Sequence, residues 1–321
     1  MEERHPTVMD YDQDNYDYRN FWKSRDYEQW AETRVLRRLF DQVGYAQWLV
    51  DLGGGFGRNA VHYRQRTDHA VIVDYSMGNL QRAAASLKGE VESGRIFLVR
   101  ADLYRLPFVD GAFDLGLMVR VLHHLAEVDD ALVEIGRILG QRWILDVPIK
   151  NHVLARMRGL FQGEMHQLST WEPKSLGTPD EPFVNFHLDA VRQTLANHGW
   201  DSGLAASVNN FRRWDQLLPA PATAPLRPLV YSLEAAVQTV GKGWWGPSQF
   251  VLATRREPIT PGITDVERPA ALDDIPSATL ATKMICPACR ATLQWSPDTA
   301  SCPTCSRTYQ RTGSVWDFVP N

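Results

Sequence analysis

Between residues 26 and 42 the segment "DYEQWAETRVLRRLFDQ" sets Trp30, Val35, Leu36, Leu39 and Phe40 at helical spacing, which predicts an amphipathic helix. Beyond it the pattern changes to short, nearly uninterrupted apolar runs. "QWLVDLG" (47–53), "AVIVDY" (70–75), "RIFLVRADL" (95–103), "FDLGLMV" (113–119) and "RWILDVPI" (142–149) read as strands. Helical stretches lie between them: one from Arg58, "MGNLQRAAASLKG", and "AEVDDALVEIGRILG" (126–140), which lines up Leu132, Ile135 and Leu139. Strands without polar alternation, joined through helices, imply a parallel sheet covered on both faces.

The regularity breaks after Ile149. Residues 150–185 offer a short helical piece and then "GEMHQLSTWEPKSLGTPDEPFVNF", too polar and too rich in Pro and Gly for core; such a segment reads as a lid. "HLDAVRQTLANHGW" resumes as helix, "SGLAASV" as a sixth strand and "SQFVLATRR" (248–256) as the last. Between these strands lie a Pro-rich turn and a helix near "LVYSLEAAVQTV". Residues 257–282 hold Pro258, Pro261, Pro269 and Pro276 with little periodicity, which marks a linker.

Composition narrows the class. The 321 residues carry 34 Lys+Arg against 38 Asp+Glu, a formal net charge of −4, which argues against a mainly electrostatic nucleic-acid or anionic-membrane binder while leaving a local basic patch open. No apolar run approaches the roughly 20 residues that span a bilayer. The N-terminal "MEERHPTVMDYDQDNYDYRNFW" lacks the features of a signal peptide, so a cytoplasmic location is expected.

All four cysteines fall in the last forty residues: Cys286-x-x-Cys289, twelve residues, then Cys302-x-x-Cys305. Each turn sets two thiolates on one side of a tetrahedral ion, and "ATLQW" and "RTYQR" alternate as ribbon strands would. Four thiolates leave no open coordination position, so the expected zinc is structural. Disulfides and a redox pair are the rival readings; the absent signal peptide disfavours the first, and two paired motifs in a ribbon context point to metal over the second.

In "WLVDLGGGFGRNA" a glycine turn between the first strand and the next helix brings backbone N–H groups to an anionic ligand. From Asp51 the pattern is D-x-G-x-G-x-G, through Gly53, Gly55 and Gly57. A dinucleotide fingerprint would put Arg58 where the third glycine is needed, which disfavours that reading. Asp74 ends the second strand and Asp102 the third, at positions suited to ribose hydroxyls and an adenine edge; the bland alternative for each is a cap or turn residue.

With "VDLGGGFGR", "VIVDYS", "ADLYRLPFVDGAFDLGLMVRVLHHL" and "ALVEIGRIL", the chain resembles the class I S-adenosylmethionine-dependent methyltransferases, in their small-molecule branch. It departs from that branch where "LGQRWILDV" replaces a proline-glycine-glycine turn. The resemblance implies a Rossmann-like seven-stranded sheet over residues 45–256, including a lid and variable region at 150–247. A helical cap over 1–44, the linker and a zinc ribbon over 283–321 complete the expected organisation. It further implies that Gly53 and Gly55 lie against the cofactor's methionine part and that Asp51 orients the turn or reaches the amino group. Asp74 would take the ribose hydroxyls and Asp102 the adenine amino group, with Tyr75, Met77 and Leu103 flanking the ring. Carboxylates suit a sulfonium cofactor on elementary grounds.

For the transfer itself, Arg120 is expected to face the cleft. His123 or His124 is a candidate general base, against the plainer reading that the pair packs the next helix. Tyr16, Tyr18, Phe21, Trp22 and Tyr27, with His166, Trp171 and Glu172, are candidate acceptor contacts; for the N-terminal group the plainer reading is that they dock the first helix. The ribbon resembles those beside or within methyltransferases, which stabilise a catalytic partner. Three functions follow: a methyltransferase for a small molecule, one for RNA or a translation component with the ribbon aiding recognition, or a cofactor-binding but non-catalytic partner protein.

Overall fold

The computed structural model describes residues 22–23, 25–176, 183–214, 220–259 and 277–319. Helix α1 (Asp26–Val43) leads into β1 (Ala46–Leu52), and a short α2 (Ala60–Tyr63) connects it to β2 (Thr67–Asp74). Helices α3 (Met77–Ser86) and α4 (Lys88–Glu92) precede β3 (Ile96–Arg100). Then come β4 (Phe113–Met118), a 3-10 turn (Leu122–His124), α5 (Val128–Ile138) and β5 (Leu139–Pro148). An insertion contributes α6 (Val153–Gln162), α7 (Met165–Ser169) and the antiparallel pair β6 (Lys174–Ser175) and β7 (Val184–Asn185). Helix α8 (Leu188–Asn197), β8 (Trp200–Val208), α9 (Ala220–Val240) and β9 (Ser248–Arg255) follow. The C-terminal part holds α10 (Ser277–Ala281), β10 (Gln294–Trp295), β11 (Thr299–Ser301), β12 (Thr308–Thr312) and β13 (Val315–Asp317).

The seven expected strands form one sheet in the order β3-β2-β1-β4-β5-β9-β8. The first five are parallel, while β9 pairs antiparallel with both β5 and β8. Successive residues of one strand enter opposite cores. Val50, Leu52, Val71 and Val73 join Trp143 and Trp200 on one face. Leu49, Ile72 and Leu117 join Val35, Leu39 and Phe40 of α1 on the other. This two-sided burial explains why the strands show no polar alternation.

The ribbon does not hang from a free tether. Its last strand, β13, pairs in parallel with β3 (Val315↔Leu98, Trp316↔Val99), so β10 to β13 extend the sheet to eleven strands. Trp316 and Cys286 belong to one core and Val315 to the other. Within the expected linker, residues 260–276 lie outside the described residues. At its end, however, α10 packs Leu280 and Ala281 fully buried, and Met284 bridges to Phe108.

Other boundaries moved for local reasons. The helix expected to reach residue 140 ends at Ile138, because Leu139 turns extended (φ −99°, ψ 124°) and starts β5. After the glycine turn only Ala60–Tyr63 is helical, not the whole stretch from Arg58. Helix α9 starts earlier than expected and runs through Pro225 and Pro228. Both are exposed, and each removes one N–H donor from the helix ladder. The polar insertion is tied down from within: Lys150, 3% exposed, donates to Gln167 O (2.5 Å), Thr170 Oγ1 (3.1 Å) and Glu172 O (2.6 Å).

Candidate active site and cysteine cluster

A cleft of about 930 Å³ opens where β1 to β4 end, beside the point at which strand order reverses between β1 and β4. Its floor is the glycine turn. Gly53, Gly55 and Gly57 all have positive φ (63°, 56° and 79°), and a Cβ on Gly53 would stand 2.4 Å from Val121 Cγ2. Only glycine therefore lets the backbone reach the cleft there. Gly57 serves differently: its Cβ would meet Leu87 Cδ1 at 2.7 Å, so it admits the packing of neighbouring residues rather than lining the cleft.

Asp74 ties the turn to β2. Its Oδ2 accepts from Gly55 N–H (2.8 Å) and its Oδ1 from Ser76 N–H (2.9 Å), while the carboxylate still faces the cleft. Asp102 accepts from Tyr104 N–H (3.0 Å) and lines the same wall with Tyr75, Leu103 and Tyr104. Of the residues singled out from the sequence, Gly53, Gly55, Asp74, Tyr75, Asp102, Leu103, Arg120 and His124 meet in this cleft. Asp51, Gly57, Met77 and His123 do not line it.

Asp51 lies beneath the turn, 1% exposed, where its Oδ2 accepts from Tyr63 Oη (3.0 Å). Burial pushes its carboxyl up to about 7; Tyr63 and Arg58 pull the other way, and Asp74 adds to the rise. Its Oδ1 and the Oδ1 of Asn59, which lines the cleft, are buried without a hydrogen-bond partner among the described residues. Two such acceptors at the glycine turn suit a cationic donor, as the amino group of S-adenosylmethionine is.

The opposite wall is an ion cluster that the sequence did not reveal. Glu32 of α1 is 1% exposed and accepts from Arg58 Nη2 (2.9 Å), Arg120 Nε (2.6 Å) and Arg120 Nη2 (2.5 Å). The Arg58 and Arg120 guanidiniums lie 3.8 and 4.8 Å from the Trp22 ring centre. Arg120 thus faces the cleft as expected, but at φ 61° and engaged with Glu32. In the sequence Glu32 is one polar position among several on a helix, and no residue pattern marks it as buried.

His123 packs 4.5 Å from Phe183 and 4.0 Å from His124. Burial, with help from His124 and Arg120, holds its imidazole well below the ordinary range, so it stays neutral near pH 7. Tyr27 turns away from the cleft and donates to Glu234 on α9 (2.5 Å), which is the docking role. Tyr16, Tyr18 and Phe21 lie outside the described residues, and His166, Trp171 and Glu172 do not line the cleft.

Residues 50–142 match the family model described as a methyltransferase domain. Over those residues the chain is similar to methyltransferase domains. The O-methyltransferase rstn1 of Aspergillus nomiae is 29% identical to it over 143 residues, 41% of this chain and 64% of that protein. A demethylmenaquinone methyltransferase of Thermus thermophilus is 30% identical over 123 residues, 37% of this chain and 56% of its own length. The solved [4+2]-cyclase SpnF aligns with 80% of this chain and 89% of its own at 19% identity, with a TM-score of 0.49. The chain therefore spans less than two thirds of these curated relatives, and the likeness centres on the methyltransferase domain.

At the far edge of that domain, the Sγ atoms of Cys286, Cys289, Cys302 and Cys305 all lie within 4.8 Å of one another. The pairs Cys286–Cys305 and Cys289–Cys302 are 3.6 and 3.4 Å apart. Those spacings far exceed a disulfide bond and approach the roughly 3.8 Å expected between thiolates about 2.3 Å from a tetrahedral zinc ion. The two turns are built alike. Arg290 N–H donates to Cys286 O (2.8 Å) and Ser306 N–H to Cys302 O (2.9 Å), and both residues have positive φ (61° and 59°).

Proposed function

We propose that the protein is an S-adenosylmethionine-dependent methyltransferase acting on a small-molecule acceptor. The observation that carries this reading is the convergence of the glycine turn, Asp74 and Asp102 on one cleft at the ends of β1, β2 and β3. The cofactor would supply a methyl group on a sulfonium; an electron-rich acceptor atom would attack the methyl carbon in line, and S-adenosylhomocysteine would leave with the electron pair of the broken S–CH3 bond. The chain's residues hold and orient. Gly53 and Gly55 offer close backbone approach, Asp51 and Asn59 offer acceptors for the amino group, Asp74 takes the ribose hydroxyls and Asp102 the adenine amino group.

Tyr75 and Leu103 flank the ring; Met77, at the start of α3, does not line the cleft. Trp22 stacks behind the cleft-lining Arg58 and Arg120 and helps to hold them in place. His124 is the better placed candidate for a base, because it lines the cleft and His123 does not. The four cysteines hold a structural zinc.

The relatives' names, an O-methyltransferase and a demethylmenaquinone methyltransferase, support a small acceptor. Pairing of β13 with β3 supports a ribbon that braces the enzyme over one that reaches toward RNA. Labelled cofactor supplied with a metabolite extract, total RNA and total protein tests the proposal. Label in small molecules is expected; label in RNA, or tight cofactor binding with no product in any fraction, would overturn it.

A further inference from the structure

Helix α6 is built inside out. Of its ten residues only Gly159 is buried, and a Cβ there would meet Leu168 of α7 at 2.7 Å, so the helix seats itself through its glycine. Its large apolar side chains point the other way: Leu154, Met157, Leu160 and Phe161 are 48, 55, 70 and 85% exposed. At about 100° per residue, Leu160, Val153, Met157, Phe161 and Leu154 share an arc of roughly 120° opposite Gly159. Arg156 borders that arc on one side and Arg158 on the other, both exposed, with Arg156 Nε donating to Asn151 O (2.8 Å). The helix contains no acidic residue, and the following Glu164 is engaged by Lys174 (3.0 Å). Trp244, half exposed, adjoins the first turn by accepting from Val153 N–H (2.7 Å).

An apolar stripe with an arginine on each margin matches a helix lying in the plane of a lipid surface. The side chains enter the acyl boundary, and the guanidiniums reach anionic headgroups from either flank. A second copy of the chain fits less well, because two such helices would bring four arginines together without a carboxylate on either. We propose that α6 docks the protein on an anionic membrane surface. The same insertion lays Phe183 on His123, next to the cleft-lining His124. The formal charge of the whole chain, −4, opposes such docking, so the attraction is local to α6.

Flotation of the full chain with extruded vesicles tests the proposal, using phosphatidylcholine alone or with roughly one-third phosphatidylglycerol. Binding to the anionic vesicles is expected to be about tenfold or more tighter than to phosphatidylcholine alone. Phe161→Asp should weaken it about tenfold, and Arg156→Gln or Arg158→Gln about fivefold each. Neither Phe161→Asp nor Arg158→Gln should alter the melting temperature or the affinity for S-adenosylhomocysteine, because α6 lines no part of the cleft; Arg156→Gln also gives up the hydrogen bond to Asn151 O (2.8 Å). Absence of flotation with either vesicle would overturn the proposal, as would equal binding to both or wild-type binding by Phe161→Asp. A concentration-dependent dimer that Phe161→Asp abolishes, with no vesicle binding, would reassign the face to a second copy.

Discussion

Glu32→Gln is the sharpest probe of the cleft wall. The carboxylate is 1% exposed and receives three charge-assisted hydrogen bonds of 2.5 to 2.9 Å from two arginines that are themselves only 17% and 15% exposed. The substitution keeps the shape and removes the charge, leaving two guanidiniums side by side against Trp22. Breaking a buried pair in this way costs about 3–5 kcal/mol, and the residual exposure of the arginines points to the lower figure. About 3 kcal/mol corresponds to a fall in melting temperature of roughly 6–12 °C for a domain of this size.

The pH dependence supplies an independent check. Burial opposes the charge on Glu32, but Arg120 and Arg58 overcome it and hold the carboxyl below its ordinary value. A depressed native pKa contributes stability above the unfolded value, about 4.3, and loses it as pH falls through the native value. The difference between wild type and variant should therefore be flat from pH 8 to about 5 and shrink below about 4. Scanning calorimetry across that range measures both. A loss under about 2 °C, or a difference that grows in acid, would refute the assignment of Glu32 as the charged centre of the cluster.

Gly53→Ala should reduce S-adenosylhomocysteine affinity more than tenfold by calorimetry, because its Cβ would stand 2.4 Å from Val121 Cγ2 at φ 63°; Val121→Ala in the same chain should restore part of it. If Asp51 receives the cofactor's amino group, its carboxyl, raised to about 7, must lose its proton on binding. Affinity should then rise between pH 6 and 8, and Asp51→Asn should flatten the profile. Purified protein should contain about one zinc per chain by metal analysis, and Cys302→Ser should lower both zinc content and melting temperature. Alanine at His123 should leave the pH profile of the rate unchanged near neutrality, since that imidazole is already neutral there; a lost ionisation would implicate it directly.

Much of the sheet was legible because parallel strands buried on both faces write continuous apolar runs, and the glycine turn and strand-end aspartates have fixed places relative to those runs. Gly53, Gly55, Asp74 and Asp102 could be placed at one end of the sheet for that reason, while Tyr75 and Leu103 were implied only by the family resemblance. What failed to show were contacts between distant segments. Glu32 meets Arg120 across 88 positions, and Lys150 holds a loop together through backbone carbonyls that no residue type announces. The exposed face of α6 was equally silent: a helical period says which residues share a side, not whether anything covers them. The four cysteines disclosed a ribbon by spacing, yet its place on the sheet depends on Arg100 and Asp317, 217 positions apart, meeting at 3.0 Å.

That last separation bears on how the chain is made. Strand β3 sits at the edge of the seven-stranded sheet until β13 arrives, and β13 is translated more than 200 residues later. At roughly 5–20 residues per second, β3 presents an unpaired row of N–H and C=O groups for about 10–40 s on every ribosome. Such an edge is a template for other chains. Crowded synthesis should thus be the most hazardous moment of this protein's life, and a chain stopped before Val315 should aggregate even with its cleft complete.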